Sequence, residues 1–218
     1  MRSVAEVEAS RGQAGWRGGL KRLTDVVLSL GALVVFGPFM VLIALVLLAV
    51  EGEPVLFRQE RVGRGGRVFG MYKFRTMPVC VRKPGEEARH RPAPAGKFLR
   101  LSGLDELPQL VNVLKGDMSL VGPRPEQPEL VEEFTRRLPA YPKRHEVAAG
   151  ITGWAQVNGF WGATSLRERL AHDLEYVRRW SLGFDMVILW MTVGSIFRRL
   201  AGRREPAESQ GDSRPRMD

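Results

Sequence analysis

The chain has 218 residues, room for one domain with appendages. Its 33 Lys and Arg against 24 Asp and Glu give a formal charge of +9, which implies an anionic partner: nucleic acid, anionic lipid or a phosphorylated small molecule. A single cysteine, Cys80, excludes an intrachain disulfide framework, and three histidines, none paired with cysteine at ligand spacing, argue against a zinc site.

Residues 1–19 hold few large apolar side chains and are expected to be disordered, with Trp16 suited to an interface. Val26 to Val50 carries no charged residue, and its exceptions to an apolar run are Ser29, Gly31, Gly37 and Pro38. As one straight helix it would reach roughly 37 Å, more than the roughly 30 Å hydrocarbon core of a bilayer. Pro38 removes a helical hydrogen bond at mid-run, and Gly37 precedes it. Two readings follow: a kinked spanning helix, or a re-entrant helix-break-helix over residues 20–51 that leaves by the face it entered. Basic residues flank both sides, Arg17, Lys21 and Arg22 before and Arg58, Arg61 and Arg64 after, so both ends are expected to stay cytoplasmic.

Beyond the run, residues 52–200 read as a cytoplasmic domain. Val55 to Phe57 and Val68 to Phe74 read as short strands about a Gly63-Arg64-Gly65-Gly66 turn. Residues 78–97, rich in Pro, Arg, Glu and Ala, read as a mobile loop. A helix is expected from about Asp105 to Lys115, stopped by Gly116, and another from Glu126 to Arg137. Ser165 and Glu168 have capping-box spacing before a charged helix to about Arg179. Phe184 to Phe197 is apolar and too short to span. With Trp180, Trp190 and Phe197 beside Arg178, Arg179, Arg198 and Arg199, residues 166–200 suit helices lying in a membrane interface, or equally a core helix of the domain. The tail, 201–218, is polar and expected to be disordered.

The chemistry centres on Leu104-Asp105-Glu106-Leu107-Pro108. Proline fits only a first helical turn, which places two adjacent carboxylates at a helix N-terminus. There they either cap the helix or act beside bound phosphate. Arg100 lies five residues upstream. Arg124 stands between Pro123 and Pro125, which restrict its backbone, and Lys73 and Arg75 frame Phe74.

These blocks occur in order with Lys21-Arg22-x-x-Asp25, Phe57-x-Gln59-x-Arg61-x-Gly63, Gly116-Asp117-Met118-Ser119-Leu120-Val121-Gly122-Pro123-Arg124-Pro125 and Gly150-Ile151-Thr152-Gly153-Trp154-Ala155-Gln156-Val157-Asn158-Gly159. From about Lys21 to Phe197 the chain closely resembles the bacterial sugar transferases, the monotopic polyprenyl-phosphate phosphoglycosyl transferases, in their short catalytic-core form. The resemblance implies an α+β, mostly helical fold with a re-entrant membrane helix, a small cytoplasmic catalytic domain and interfacial amphipathic helices. It implies transfer of a phosphosugar from a UDP-sugar to undecaprenyl phosphate with loss of UMP, at the cytoplasmic face of the bacterial inner membrane, as the first membrane step of exopolysaccharide, capsule, O-antigen or glycoprotein glycan assembly.

By the same resemblance Asp105 is the nucleophile and forms an aspartyl-phosphosugar intermediate, and Glu106 helps with Mg²⁺ or the acceptor's proton. Asp105 and Glu106 are then the metal ligands, Arg100, Arg124 and Lys73 the phosphate-binding residues, and Gly37 and Pro38 the membrane break. Expected partners are the UDP-sugar, undecaprenyl phosphate and anionic membrane lipid, without nucleic acid; pairing into a homodimer stays open. Gly37, Gly103, Ala149 and Phe160 depart from the family pattern, the last two where nucleotide or sugar binding would feel it. The sugar and the glycan pathway are not legible. The rival reading is a non-catalytic, membrane-anchored basic scaffold for anionic lipid or nucleic acid, which leaves the Asp-Glu pair unexplained and lacks any nucleic-acid-binding signature.

Overall fold

The computed structural model describes residues 16–77, 94–162 and 164–200. Residues 1–15, most of the expected loop (78–93) and the tail 201–218 lie outside the described residues.

Helix α1, Trp16–Glu51, contains the whole uncharged run. The helix runs through Gly37 and Pro38, so the proline is carried within one helix rather than between two separate ones. Long apolar neighbours on both sides can maintain helix around one missing N–H, as membrane helices commonly do. Its most apolar 18-residue window has a mean hydropathy of 3.0. The buried residues of α1 are Lys21, Asp25, Ser29 and Leu47. Most of its apolar surface therefore faces outward and requires an apolar surrounding that the described chain does not supply.

Both ends of α1 dock on one body. At the N-terminal end Lys21 Nζ lies 3.0 Å from Asp25 Oδ1 and 2.8 Å from Asp185 Oδ2. Asp25 Oδ1 also accepts from Ser119 Oγ (3.1 Å) and the Leu120 amide (3.2 Å). The Arg22 guanidinium donates to the carbonyls of Val113 and Leu114. At the other end Leu47 packs with Phe74 and Leu99, joined by Met40, Ile43 and Ala44. Arg75 Nη2 donates to the carbonyls of Glu51 (2.7 Å) and Gly52 (2.8 Å), a cation at the helix C-terminus where the dipole favours one.

Strands β1 (Leu56–Val62) and β2 (Val68–Phe74) form an antiparallel hairpin, its turn closed by Gly65 and Gly66 at positive φ. Helix α2 spans Pro94–Ser102. It begins inside the stretch expected to be loop, because a proline is preorganised for a first helical turn. Left-handed Gly103 (φ +73°) ends it, and a 3₁₀ turn, Leu104–Glu106, carries the two carboxylates. Helix α3 is Gln109–Lys115, with Pro108 at its N-cap and Gly116 (φ +87°) at its C-cap. The expected helix from Asp105 thus begins four residues later, and Asp105 and Glu106 precede it on the turn.

Strand β3 (Ser119–Val121) pairs in parallel with β4 (Gly150–Thr152), with α4 (Pro128–Arg137) and a 3₁₀ segment, Tyr141–Glu146, between them. Short α5 (Trp154–Val157) leads to α6 (Leu166–Arg179), capped by Ser165, and α7 (Leu182–Leu200). Val121, Val147, Val157, Tyr176, Val177, Trp180 and Ile188 form the main core.

Of the two readings open for Trp180, interface or core, the core one holds: it is buried and its Nε1 donates to Asp185 Oδ2 at 3.2 Å. Helix α6 likewise turns Leu170, Asp173, Tyr176 and Val177 into the core, so of the 166–200 region it is α7 that presents an apolar surface outward. There Trp190 is 80% and Phe197 67% exposed.

Candidate active site

A cavity of about 900 Å³ lies between β2, the 3₁₀ turn, the Pro123–Pro125 loop, β4 and α7. It reaches Phe36 on α1, so one lining residue belongs to the apolar run. Lys73, Arg100, Asp105, Glu106 and Arg124, all nominated from sequence, line this one cavity. Gly37 and Pro38 do not.

Glu106 is the centre of an ionic cluster. Its Oε1 lies 2.7 Å from Lys73 Nζ and 2.8 Å from Arg124 Nη2. Burial pushes the Glu106 carboxyl up, but Arg124 and Lys73 together outweigh it and hold the group at about 2. Burial draws the Lys73 ammonium down from its usual range, with Glu106 opposing. A carboxyl held that low stays ionised throughout the physiological range and is a weak base. Its folded value lies below the 4.5 of an ordinary Glu, so its contribution to stability is present above 4.5 and is lost as pH falls towards about 2.

Asp105 is 8% exposed, and among the described residues no hydrogen bond or ion pair engages its carboxylate. Burial raises its pKa, adjacent Glu106 adds to the rise, and Lys73, Arg100 and Arg124 oppose it. The fold therefore disfavours the charged form of a carboxylate that it leaves without a partner. Unengaged oxygens do not suit a helix cap, and a buried carboxylate among cations is a candidate functional group. If Asp105 must be ionised to react, the rate of the donor half-reaction should fall with decreasing pH through a value above 3.8, with Glu106 ionised throughout. Burst measurements of nucleotide release without acceptor check this, since the acceptor's own phosphate titration is then absent. A limb at or below 3.8 would contradict it.

Arg124 is positioned from behind, by residues that the sequence did not announce. Arg144 Nη2 donates to the Arg124 carbonyl at 2.7 Å. The same guanidinium binds Asp173, with Nε to Oδ2 at 2.8 Å and Nη2 to Oδ2 at 2.7 Å, and it donates to the Tyr141 hydroxyl at 3.1 Å. Arg61 Nη1 donates to the Pro125 carbonyl at 3.2 Å and lies 3.5 Å from Glu126 Oε2, whose other oxygen meets Arg169. Both carbonyls of the Arg124-Pro125 pair are thus held by arginines, Arg144 buried and Arg61 half-buried.

Arg144 and Asp173 are 29 positions apart, and no local motif links them. The pair is almost wholly buried, so Arg144→Met should cost about 3–5 kcal/mol by stranding Asp173, and Asp173→Leu in the same chain should restore much of it. Chemical unfolding of both variants in detergent measures this. Equal stability of Arg144→Met and the parent would show that the pair carries no such weight.

Among the described residues no cluster of three or more His, Cys, Asp or Glu could hold a metal ion. The expected pair, Asp105 and Glu106, fits the weaker kind of site in which Mg²⁺ uses one or two carboxylates and completes its shell with substrate phosphates and water. Asp105 is the freer donor, because Lys73 and Arg124 occupy Glu106 Oε1.

The arrangement sets a buried carboxylate without a hydrogen bond among cations, in a cavity beside a helix that needs apolar surroundings. A family model described as bacterial sugar transferase matches residues 16–199, and the chain belongs to that family. It is 42% identical over 182 residues to the UDP-glucose:undecaprenyl-phosphate glucose-1-phosphate transferase of Escherichia coli, an alignment covering 80% of this chain but 39% of that protein. Its identity to the protein of the same name from Caulobacter vibrioides is 40% over 184 residues, covering 81% of this chain and 69% of the other. To the exopolysaccharide production protein PSS of Rhizobium leguminosarum it is 39% identical over 198 residues, 84% of this chain and 98% of that one.

Proposed function

We propose that the chain transfers a phosphosugar from a UDP-sugar to undecaprenyl phosphate or a similar polyprenyl phosphate, releasing UMP. The observation that carries this reading is Asp105: a buried, unengaged carboxylate surrounded by Lys73, Arg100 and Arg124, in a cavity that extends to Phe36 of the apolar helix.

Two displacements at one phosphorus account for the geometry. An Asp105 oxygen attacks the sugar-bearing phosphorus, and the bond from that phosphorus to the bridging oxygen of UMP breaks. An oxygen of the polyprenyl phosphate then attacks the same phosphorus, and the bond to Asp105 breaks with its electron pair returning to the carboxylate. Neither step requires a proton when the acceptor is dianionic. Proton transfer, one of the two roles expected for Glu106, is therefore not needed, and its contacts suit it instead to ordering Lys73 and Arg124.

Lys73 and Arg124 bind and orient the diphosphate, a task on which phosphoryl transfer largely depends. Mg²⁺ held by Asp105 and Glu106 would, when bound, offset diphosphate charge. A panel of UDP-sugars with undecaprenyl phosphate and Mg²⁺, read by UMP release, tests the activity and identifies the sugar. No release from any member of the panel by a well-folded preparation would contradict the reading.

The membrane setting is a re-entrant α1 with both ends cytoplasmic. Its two ends dock on the same body, through Lys21 and Asp25 at one and Leu47 at the other, and a helix crossing the bilayer would separate those contacts. The outward Trp190 and Phe197 of α7 suit the membrane interface. In a chain with Cys80 replaced by serine, cysteines introduced at Arg17 and at Gly52 should both resist a membrane-impermeant thiol reagent applied from outside. Labelling of the Arg17 site alone would indicate a spanning helix.

A further inference from the structure

The hydroxyls on the cavity wall formed by β4, α5 and α7 are spent, whereas one amide oxygen there is not. Thr192 Oγ1 donates to the Ile188 carbonyl at 2.7 Å, so Thr152 is the donor in the 2.7 Å hydroxyl pair that the two threonines form. Ser195 Oγ donates to the Thr192 carbonyl at 2.9 Å. Gln156 Nε2 donates to the Ile151 carbonyl at 3.0 Å. A carbonyl oxygen is met only by the nitrogen of an amide, so this bond fixes which end of the side chain is which. The other end, Oε1, is buried and accepts no hydrogen bond among the described residues. An acceptor withdrawn from water without a donor is costly, and a donor brought by a ligand removes that cost.

Gln156 stands beside a flat apolar surface, since Val157 and Trp161 line the cavity with it. Phe160, one of the departures from the family pattern, lies against His172 of α6, ring centroids 4.5 Å apart, and leaves the cavity wall to Trp161 next to it. The same segment is joined to the loop that carries Arg124. The Gly150 amide donates to the Pro123 carbonyl at 3.0 Å, and the Gly122 amide to the Thr152 carbonyl at 2.9 Å. A Cβ placed on Gly153 would fall 2.2 Å from the Gly122 oxygen and 3.1 Å from Gln156 Oε1, so that acceptor sits where α5 meets the chain leading to Arg124. Asp105 belongs to a different wall, the turn packed against α2 and β2.

We propose that this end of the cavity is the base subsite of the nucleotide donor: Trp161 packs on the face of uracil, and Gln156 Oε1 accepts from its N3–H. In-line displacement sets the leaving group across the phosphorus from the nucleophile, so UMP departs on the side away from Asp105, towards the wall that carries Gln156 and Trp161. Uracil presents an N–H at the middle of its polar edge. Cytosine presents a bare acceptor nitrogen there and would set one lone pair against another. Gln156 is half-buried and lines the cavity, so a small turn of its amide about the Ile151 anchor brings Oε1 to the edge of the ring. The assignment rests on the UDP-sugar reading above.

Titration calorimetry separates base from phosphate and requires no turnover. Full-length protein in detergent with Mg²⁺ is titrated with UMP, with UMP methylated at N3, which lacks the donor, and with inorganic pyrophosphate, which lacks the base. The parent should bind UMP about tenfold more tightly than the methylated nucleotide, the scale of one hydrogen bond. Gln156→Ala, which removes the acceptor and leaves room for the methyl group, should bring the two nucleotides to within about twofold of each other. Trp161→Ala should weaken both nucleotides about tenfold and leave pyrophosphate unchanged, and it keeps the test available should Gln156→Ala fold poorly. Equal binding of the two nucleotides by the parent, a preference unaltered in Gln156→Ala, or pyrophosphate weakened along with the nucleotides in Trp161→Ala overturns the assignment. UMP bound with the expected preference, but released from no UDP-sugar, would overturn the transferase reading and leave the subsite in place; absence of UMP binding overturns both.

Discussion

Replacing Asp105 with asparagine is expected to abolish turnover and to leave the fold intact or strengthen it. The amide preserves shape but has no lone pair of carboxylate reactivity, and removal of a covalent nucleophile costs on the order of 10⁶-fold in rate. Stability should move the other way. Burial and Glu106 raise the pKa of Asp105 above its ordinary value, so its charged form is less favourable in the folded chain than in the unfolded one. Stability is therefore lost as pH rises through the raised value, and a neutral amide removes that penalty. UMP release and thermal unfolding on one preparation check both halves. An inactive variant that unfolds well below the parent would indicate a structural role, and substantial retained activity would indicate a cap.

Glu106→Gln should give the second-largest effect, by a different route. Glu106 is the shared partner of Lys73 and Arg124, at 2.7 and 2.8 Å. Without its charge two half-buried cations face each other, and Lys73, already drawn down by burial, loses the group that opposes that fall. Turnover should drop by about 10²–10³-fold, the scale for loss of a preorganised charge-stabilising group, with the donor KM rising as the fork of Arg124 loses its orientation. Unlike Asp105→Asn, this variant should be less stable near neutral pH, and the difference should shrink as pH is lowered towards about 2, where the parent's carboxylate is itself protonated. Steady-state kinetics and unfolding at several pH values measure this. A variant with unchanged KM and lower kcat would place Glu106 in the chemical step instead.

The residues that the cavity brings together were legible in sequence because each lies in a short, chemically distinctive block: two carboxylates before a proline, an arginine between prolines, a lysine beside an aromatic. What those blocks do not state is who holds them. Arg144 and Asp173 meet only because the Tyr141–Glu146 segment and α6 pack together, and neither residue carries a local signal.

Trp180 could not be decided from sequence for a related reason. Arginines flank it in sequence, but the helix turn at Ser181 directs the indole to Asp185, where an internal acceptor replaces the polar interface that its N–H was expected to seek. Pro38 shows the limit of a local rule, since the proline removes one hydrogen bond and helix α1 continues past it. The start of α3 was placed too early because Pro108 was read as a first-turn residue, whereas left-handed Gly103 and the 3₁₀ turn occupy that stretch.

The most direct test of a covalent aspartyl intermediate is mass spectrometry of the protein after incubation with a UDP-sugar and Mg²⁺ in the absence of acceptor, followed by acid quench and proteolysis. The account predicts a phosphosugar adduct on the peptide that contains Asp105, localised to that residue, formed with one equivalent of UMP and discharged by polyprenyl phosphate. An adduct on Glu106, or full turnover with neither adduct nor burst, would contradict it.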